Sequence, residues 1–207
     1  DPVHQQELIE GVQQVDEMLT RQPGFVSVNL HRSLDGTHVV NYVQWESEEL
    51  LAAAWQLLAL QEHRSDRRKL ALTDESGIYD VVYTDDRSSL GITTISEENK
   101  VATFINVIST TPEQQPALLD FVIGNDAKVF AGAPGYQSAN FRRRHDGTHV
   151  INYSLWDSEQ AFLDAINAMF KLPGLMMEQA NQMATAQAGG VGSTDFRFYT
   201  VVFLAHA

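Results

Sequence analysis

Two stretches of this 207-residue chain are copies of one another, and that duplication limits the possible folds more than any other feature. Residues 24–55 (GFVSVNLHRSLDGTHVVNYVQWESEELLAAAW) align with residues 135–166 (GYQSANFRRRHDGTHVINYSLWDSEQAFLDAI) at a constant offset of 111, without a gap. Fifteen of the 32 positions are identical, including Asp35-Gly36-Thr37-His38, Asn41-Tyr42, Trp45 and Ser47-Glu48, so the likeness is common descent rather than composition. Two units are too few for a solenoid, which leaves a tandem domain duplication.

Each copy reads as strand, hairpin, strand, helix. Phe25–Arg32 and Tyr136–Arg143 are strand-like, and His38–Trp45 and His149–Trp156 are the returning strands. Asp35-Gly36 and Asp146-Gly147 mark the hairpins, because glycine accepts the positive φ such turns demand. Ser47 and Ser158 suit helix N-caps, with acidic residues in the following turn where the helix dipole favours them. Helix-like stretches, Gln5–Arg21 and Glu113–Ala131, precede the copies, and Pro23-Gly24 and Pro134-Gly135 punctuate their ends. β-rich runs close the units, Ile78–Thr84 in the first and Phe196–Leu204 in the second. Tyr79–Tyr83 matches Tyr199–Phe203 at an offset of 120, which places nine extra residues around Met176–Ser193.

The second copy also opens with a strand, Val101–Ser109, that the first lacks, since Asp1-Pro2 aligns near Thr111-Pro112. The expectation is an incomplete sheet edge in the first copy, with the strand lying upstream or its place taken by Gly91–Ile95 or by another chain. The resulting β-α-β-β-α-β order is the ferredoxin-like plan of an α+β protein. The expected domains are a first unit over 1–84, a linker over 85–100 that holds an extra strand or none, and a second unit over 101–207. In the returning strand, Val39, Asn41, Val43 and Trp45 share one side and Val40 and Tyr42 the other, so both faces are expected to be buried. Units of about 100 residues bury little surface alone. The two sheets are therefore expected to face each other across a shared core.

The net charge of -13 would repel a phosphate backbone, so a nucleic-acid partner is not expected. The chain has no cysteine, which rules out disulfides, thiolate nucleophiles and cysteine-held metal centres. No apolar run reaches the length of a membrane span. A cytoplasmic location is the expectation. His31, His38, His145 and His149 lack a carboxylate–histidine spacing that would make them a metal cluster. Arg64, Arg67, Arg68 and Lys69 read as a solvated helix face. Gly189–Gly192 lacks the strand-before, helix-after setting of a phosphate loop.

The Pro-Gly-Phe turn, the Asp-Gly-Thr hairpin and the Asn-Tyr-x-x-Trp-x-Ser-Glu run entering a helix resemble the antibiotic-biosynthesis monooxygenase family, in two tandem copies. That resemblance implies a dimeric α/β barrel, here made by two halves of one chain, with a pocket between sheet and helices in each unit. It implies oxidation of an aromatic, polyketide-like or quinonoid small molecule by O2 with no cofactor. It also implies site residues: an Asn and a Trp four residues apart on the third strand, and an Asn on the first. Asn41 and Trp45 match the pair in copy one, Asn152 and Trp156 in copy two, and Asn106 matches the first-strand Asn. His63 has no equivalent in copy two for the helix-borne haem ligand of some relatives. The chemistry is consistent: amide donors would stabilise an enolate and Trp would wall the ring. The competing reading has Asn serving backbone groups and Trp filling core, in a binding or structural member of the fold. A homo-oligomer is compatible with either reading.

Overall fold

The computed structural model describes residues 2–57, 70–87, 101–170 and 194–207. After a short 3-10 turn, the elements are α1 (Gln5–Leu19), β1 (Phe25–Ser33), β2 (Val39–Trp45), α2 (Glu48–Trp55), β3 (Tyr79–Asp86), β4 (Ala102–Ser109), α3 (Gln115–Asn125), β5 (Tyr136–Arg144), β6 (His149–Trp156), α4 (Glu159–Phe170) and β7 (Thr194–His206). A π-helical turn, Asp126–Phe130, continues α3. Ser47 caps α2 by accepting the Leu50 N–H at 3.3 Å, and Ser158 accepts the Ala161 N–H at 3.1 Å at the start of α4. Gly36 and Gly147 both take φ +78° in their hairpins. Among the described residues no helix is long and apolar enough to cross a membrane.

The chain forms two compact units. The described residues up to Ser76, with Tyr199–Ala207, make the first, and the described residues between Gly77 and Phe198 make the second. In the second unit the hydrogen-bonded order is β7-β4-β6-β5-β3. Its first four members are the fourth, first, third and second strands of a βαββαβ unit, the ferredoxin-like arrangement. Phe104, Ile108, Phe141, Val150 and Trp156 of the sheet pack with Leu118 and Leu119 of α3 and Phe162, Ala165 and Ile166 of α4. The opposite face is buried as well, at Ile105, Arg142, Tyr153 and Leu155.

In the first unit the order is β2-β1-β7. α1 lays Ile9, Val12, Val15 and Leu19 toward the sheet at helical spacing, and Val28 and Leu30 of β1 meet them. β2 departs from the expected two-sided burial. Asn41 and Gln44 are exposed and the rest of the strand is half-buried, whereas β6 is buried from Tyr153 to Trp156. The reason is topological. β6 lies between β4 and β5, while β2 has β1 as its one ladder partner among the described residues. Among the described residues, β2 is therefore an edge strand. Gly91–Ile95, His63, the basic run and Gly189–Gly192 lie outside the described residues.

The closing strands differ from the sequence expectation in one respect. β3 does not pair with a strand of its own copy among the described residues; it pairs with β5, from Tyr79↔Arg144 to Asp86↔Ser138. β7 pairs with β1 from Tyr199↔Ser33 to His206↔Ser27. The two ladders are the same ladder twice. Tyr79 and Tyr199 are equivalent, as are Arg144 and Ser33, and each ladder skips one residue, Val82 or Val202, at a bulge. Adjacency in sequence identified these segments as strands but carried no information on which neighbour each would choose.

The duplication has a second offset. Pro2 packs over Gly36 as Pro112 packs over Gly147. The Gln5 amide donates to the Ser33 and His38 carbonyls at 3.2 and 2.9 Å, and Gln115 donates to Arg144 and His149 at 3.1 and 3.0 Å. These pairs are 110 residues apart, whereas Pro23 and Pro134 are 111 apart. The π turn absorbs the extra residue. The Thr20 N–H bonds the carbonyl of Asp16, four residues back, but the Ala131 N–H bonds the carbonyl of Asp126, five back.

Candidate functional site

In the second unit, Asn106 of β4 and Asn152 of β6 are direct cross-strand partners, and Phe141 of β5 continues the row. Cross-strand partners in an antiparallel pair share one face, with Cβ atoms about 5 Å apart. The neighbouring rows on that face are Phe104 with Ser154 and Ala139 on one side and Ile108 with Val150 on the other, apolar except for Ser154. The amide oxygens of Asn106 and Asn152 are both shut off from solvent and have no hydrogen-bond partner among the described residues. Each such group costs roughly 1–3 kcal/mol. Two together in a largely apolar wall form a polar spot that a hydroxyl donor would satisfy, and turning an amide over presents N–H donors instead.

Trp156 lies four residues from Asn152 on the same face, roughly 13 Å along the strand. It is 1% exposed. Its ring meets Tyr136, Phe162 and Phe130 edge-on at centroid distances of 5.3, 5.4 and 6.0 Å, and its indole N–H donates to Ser154 at 3.1 Å. Trp156 is thus fixed on three sides by aromatic packing.

The first unit uses the same residue types differently. The Asn41 side-chain amide donates to the carboxylate of Asp16, on α1, at 2.8 Å. Asp16 itself is completely buried. Trp45 is half-buried and packs edge-on to Phe25 at 6.0 Å, and its indole N–H has no hydrogen-bond partner among the described residues. Asn41 and Trp45 are brought to one face, as the spacing predicts, but among the described residues Asn41 has Leu30 as its cross-strand partner and no Asn stands opposite it.

Sequence reasoning missed one constellation. Asp126, where α3 passes into the π turn, is buried and accepts the Tyr136 hydroxyl at 3.1 Å. Burial pushes its carboxyl from the ordinary 3.8 up to about 6, against the opposing pull of that hydrogen bond. Burial and the Asp126 charge push the Tyr136 phenol up as well. Asp126 stands 110 residues after Asp16, so the two buried aspartates are equivalent positions. The change of offset was the available signal. At 111 residues Asp16 is matched to Ala127, and the pair disappears. Among the described residues no three His, Asp or Glu side chains are grouped to hold a metal ion.

These units are ferredoxin-like α+β folds, and the second carries a pair of asparagines on the sheet face that packs against its helices. Residues 1–64 and 102–168 match the antibiotic biosynthesis monooxygenase family, and the chain belongs to it. Over 69 residues the chain is 36% identical to tetracenomycin-F1 monooxygenase of Streptomyces glaucescens, a match covering 33% of this chain and 62% of that protein. The chain thus spans less than two-thirds of that relative's length. The crystal structure of an anthrone oxidase-like protein superposes with a TM-score of 0.77 at 24% identity, covering 100% of this chain and 89% of that one. A ferredoxin-fold protein of Listeria monocytogenes, related to antibiotic biosynthesis monooxygenases, superposes with a TM-score of 0.50 at 14% identity, covering 93% and 88%. These two structures share the fold.

Proposed function

We propose that this chain is an oxygenase that oxidises an aromatic, polyketide-like or quinonoid small molecule with O2, without a cofactor, at the Asn106–Asn152 site of the second unit. The observation that carries this reading is the adjacent pair of buried amide oxygens, without a hydrogen-bond partner among the described residues, in a largely apolar wall. Family membership and the likeness to a monooxygenase support an oxygenase over other small-molecule chemistries. In an anthrone, the methylene carbanion is conjugated with the ring carbonyl and supplies the electrons that O2 needs. The protein's tasks are to exclude water, to hold the ring against aromatic side chains and to stabilise the enolate oxygen. With their amides turned so that N–H groups face the substrate, Asn106 and Asn152 donate to the oxygen, and Trp156 flanks the ring. In the first unit, the Asn41–Asp16 bond favours a structural role for the equivalent residues.

The test is aerobic turnover of a panel of anthrones by the purified chain, with no added cofactor and a chelator present. The expected result is enzyme-dependent O2 uptake matched by quinone formation. Binding of the same compounds with no uptake above the uncatalysed rate would make the chain a binding module instead.

A further inference from the structure

Ser154 is the polar member of an apolar row. It is 2% exposed, and its cross-strand neighbours are Phe104 on one side and Ala139 on the other. The strand has no need of a hydroxyl at this position, since the first copy has Val43 there. A buried hydroxyl is costly unless it is hydrogen-bonded. Ser154 makes one hydrogen bond among the described residues, accepting the Trp156 indole N–H at 3.1 Å. In the first copy the same indole lacks that partner. The N–H of Trp45, the counterpart of Trp156, is shut off from solvent and has no partner among the described residues, because Val43 offers no acceptor. Trp45 is half-buried, whereas Trp156 is 1% exposed.

Resting on the oxygenase reading above, we infer that Ser154 is a positioning residue for that site, setting which edge of the Trp156 indole is turned toward the asparagine pair. Tyr136, Phe162 and Phe130 meet the indole edge-on, and such contacts fix the plane of its ring. They do not fix its sense. Turning the indole over about its Cβ–Cγ bond keeps the plane and exchanges the N–H edge for the six-membered ring, and the broad two-fold preference of that torsion allows both. A buried N–H needs an acceptor, and Ser154 provides one in a single sense. Asn152, Ser154 and Trp156 alternate along one face of β6, with Ser154 in the middle. Its bond therefore draws the N–H edge toward the asparagines. In the other sense the bulkier six-membered ring lies in the direction of Asn152, where the substrate ring lies in the oxygenase proposed above. The bonded sense is favoured roughly 5- to 100-fold, the factor that corresponds to about 1–3 kcal/mol for a buried donor left unpaired.

The test follows the indole and the ligand separately, in the full chain. The sequence has three tryptophans, so isotope labelling gives three indole N–H signals, and Trp156→Phe identifies the one that matters. Hydrogen exchange of that signal is measured by NMR, the Kd of an anthrone is measured under argon, and its KM and kcat in air. The wild type should show slow exchange at Trp156. Ser154→Ala should speed that exchange by roughly 5- to 100-fold. It should raise Kd and KM by about 2-fold or more, because molecules with the indole turned over do not bind, and leave kcat unchanged. Ser154→Thr keeps the hydroxyl and should keep wild-type values throughout. Val43→Ser should slow exchange at Trp45 and leave Kd and KM alone.

Wild-type exchange and affinity in Ser154→Ala would overturn the inference. So would a weaker affinity with the Trp156 N–H unchanged, since Ser154 would then act by another route. A wild type that binds the anthrone without O2 uptake would overturn the oxygenase reading, and exchange together with Kd would still decide the role of Ser154. A wild type that neither binds nor oxidises it would overturn both. If Ser154→Ala fails to fold, Ser154→Val, which carries the residue of the first copy, takes its place. Failure of both to fold would mean that the hydroxyl serves stability, and would count against the inference.

Discussion

Replacing Asp126 by Asn should make the protein more stable at neutral pH, the opposite of what most substitutions of buried residues do. The carboxyl is buried, and its pKa stands at about 6 in the folded chain against 3.8 when exposed. A raised carboxyl pKa means that the folded state binds the proton more tightly than the unfolded one. The folded state is therefore favoured at low pH, and stability is lost as pH rises from about 4 to about 6. Above that window the loss is constant. A shift of about two units at about 1.4 kcal/mol each comes to about 3 kcal/mol. The amide of Asn is nearly the same shape, can still accept the Tyr136 hydroxyl and carries no charge to desolvate. Urea unfolding of the wild type and Asp126→Asn between pH 4 and 8 measures the difference directly. The two should be nearly equal at pH 4, and the variant should lead by up to about 3 kcal/mol at pH 8, with unchanged m-values. A variant less stable than the wild type at pH 8, or one that keeps the wild-type slope between pH 4 and 6, would refute the reasoning.

Three further outcomes follow from the same geometry. Asn41→Ala should cost about 1–3 kcal/mol, because it strips a donor from the buried Asp16 carboxylate, while Asn152→Ala removes an atom with no partner and should cost less; denaturant melts rank the two. Gly147→Ala should destabilise more than Gly36→Ala. Both glycines have φ +78°, but an added Cβ would stand 2.6 Å from the Pro112 backbone at Gly147 and 3.2 Å from a Pro2 side-chain carbon at Gly36; thermal melts decide. Deleting Ala127 should restore a regular helix, in which the Ala131 amide bonds four residues back, and should bring Asp126 to Asn152 in the manner of Asp16 and Asn41; a crystal structure of the variant shows whether it does.

Much of the fold was legible because the chain states it twice. The repeat, the Asp-Gly hairpins and the Ser caps each act within a few residues, and each recurs at its expected place. The choice of β5 as the partner of β3 was not legible, because a strand's sequence reports its faces and not its neighbour. The shallow burial of β2 had the same origin. Its residues suit a central strand, but among the described residues no counterpart to β4 lies beside it. At the site, the facing of Asn106 and Asn152 follows from strand register, which the matched motifs anticipate. Asp16 and Asp126 were hidden for a different reason. An aspartate on a helix in an acidic protein reads as solvated surface, and a gapless alignment conceals the one-residue insertion that relates the two.

The claim that the second unit carries the chemistry is tested most directly by comparing O2 uptake in Asn152→Ala and Asn41→Ala, with circular dichroism and melting curves to match their folding. Asn152 is in a row with Asn106, while Asn41 is bound to Asp16 and has no Asn opposite it among the described residues. Removing one oxyanion donor typically costs about 100- to 1000-fold in rate. Asn152→Ala should lose most turnover and Asn41→Ala should keep most of it. The reverse ranking would move the chemistry to the first unit, and equal small effects in two well-folded variants would mean that both amides are structural.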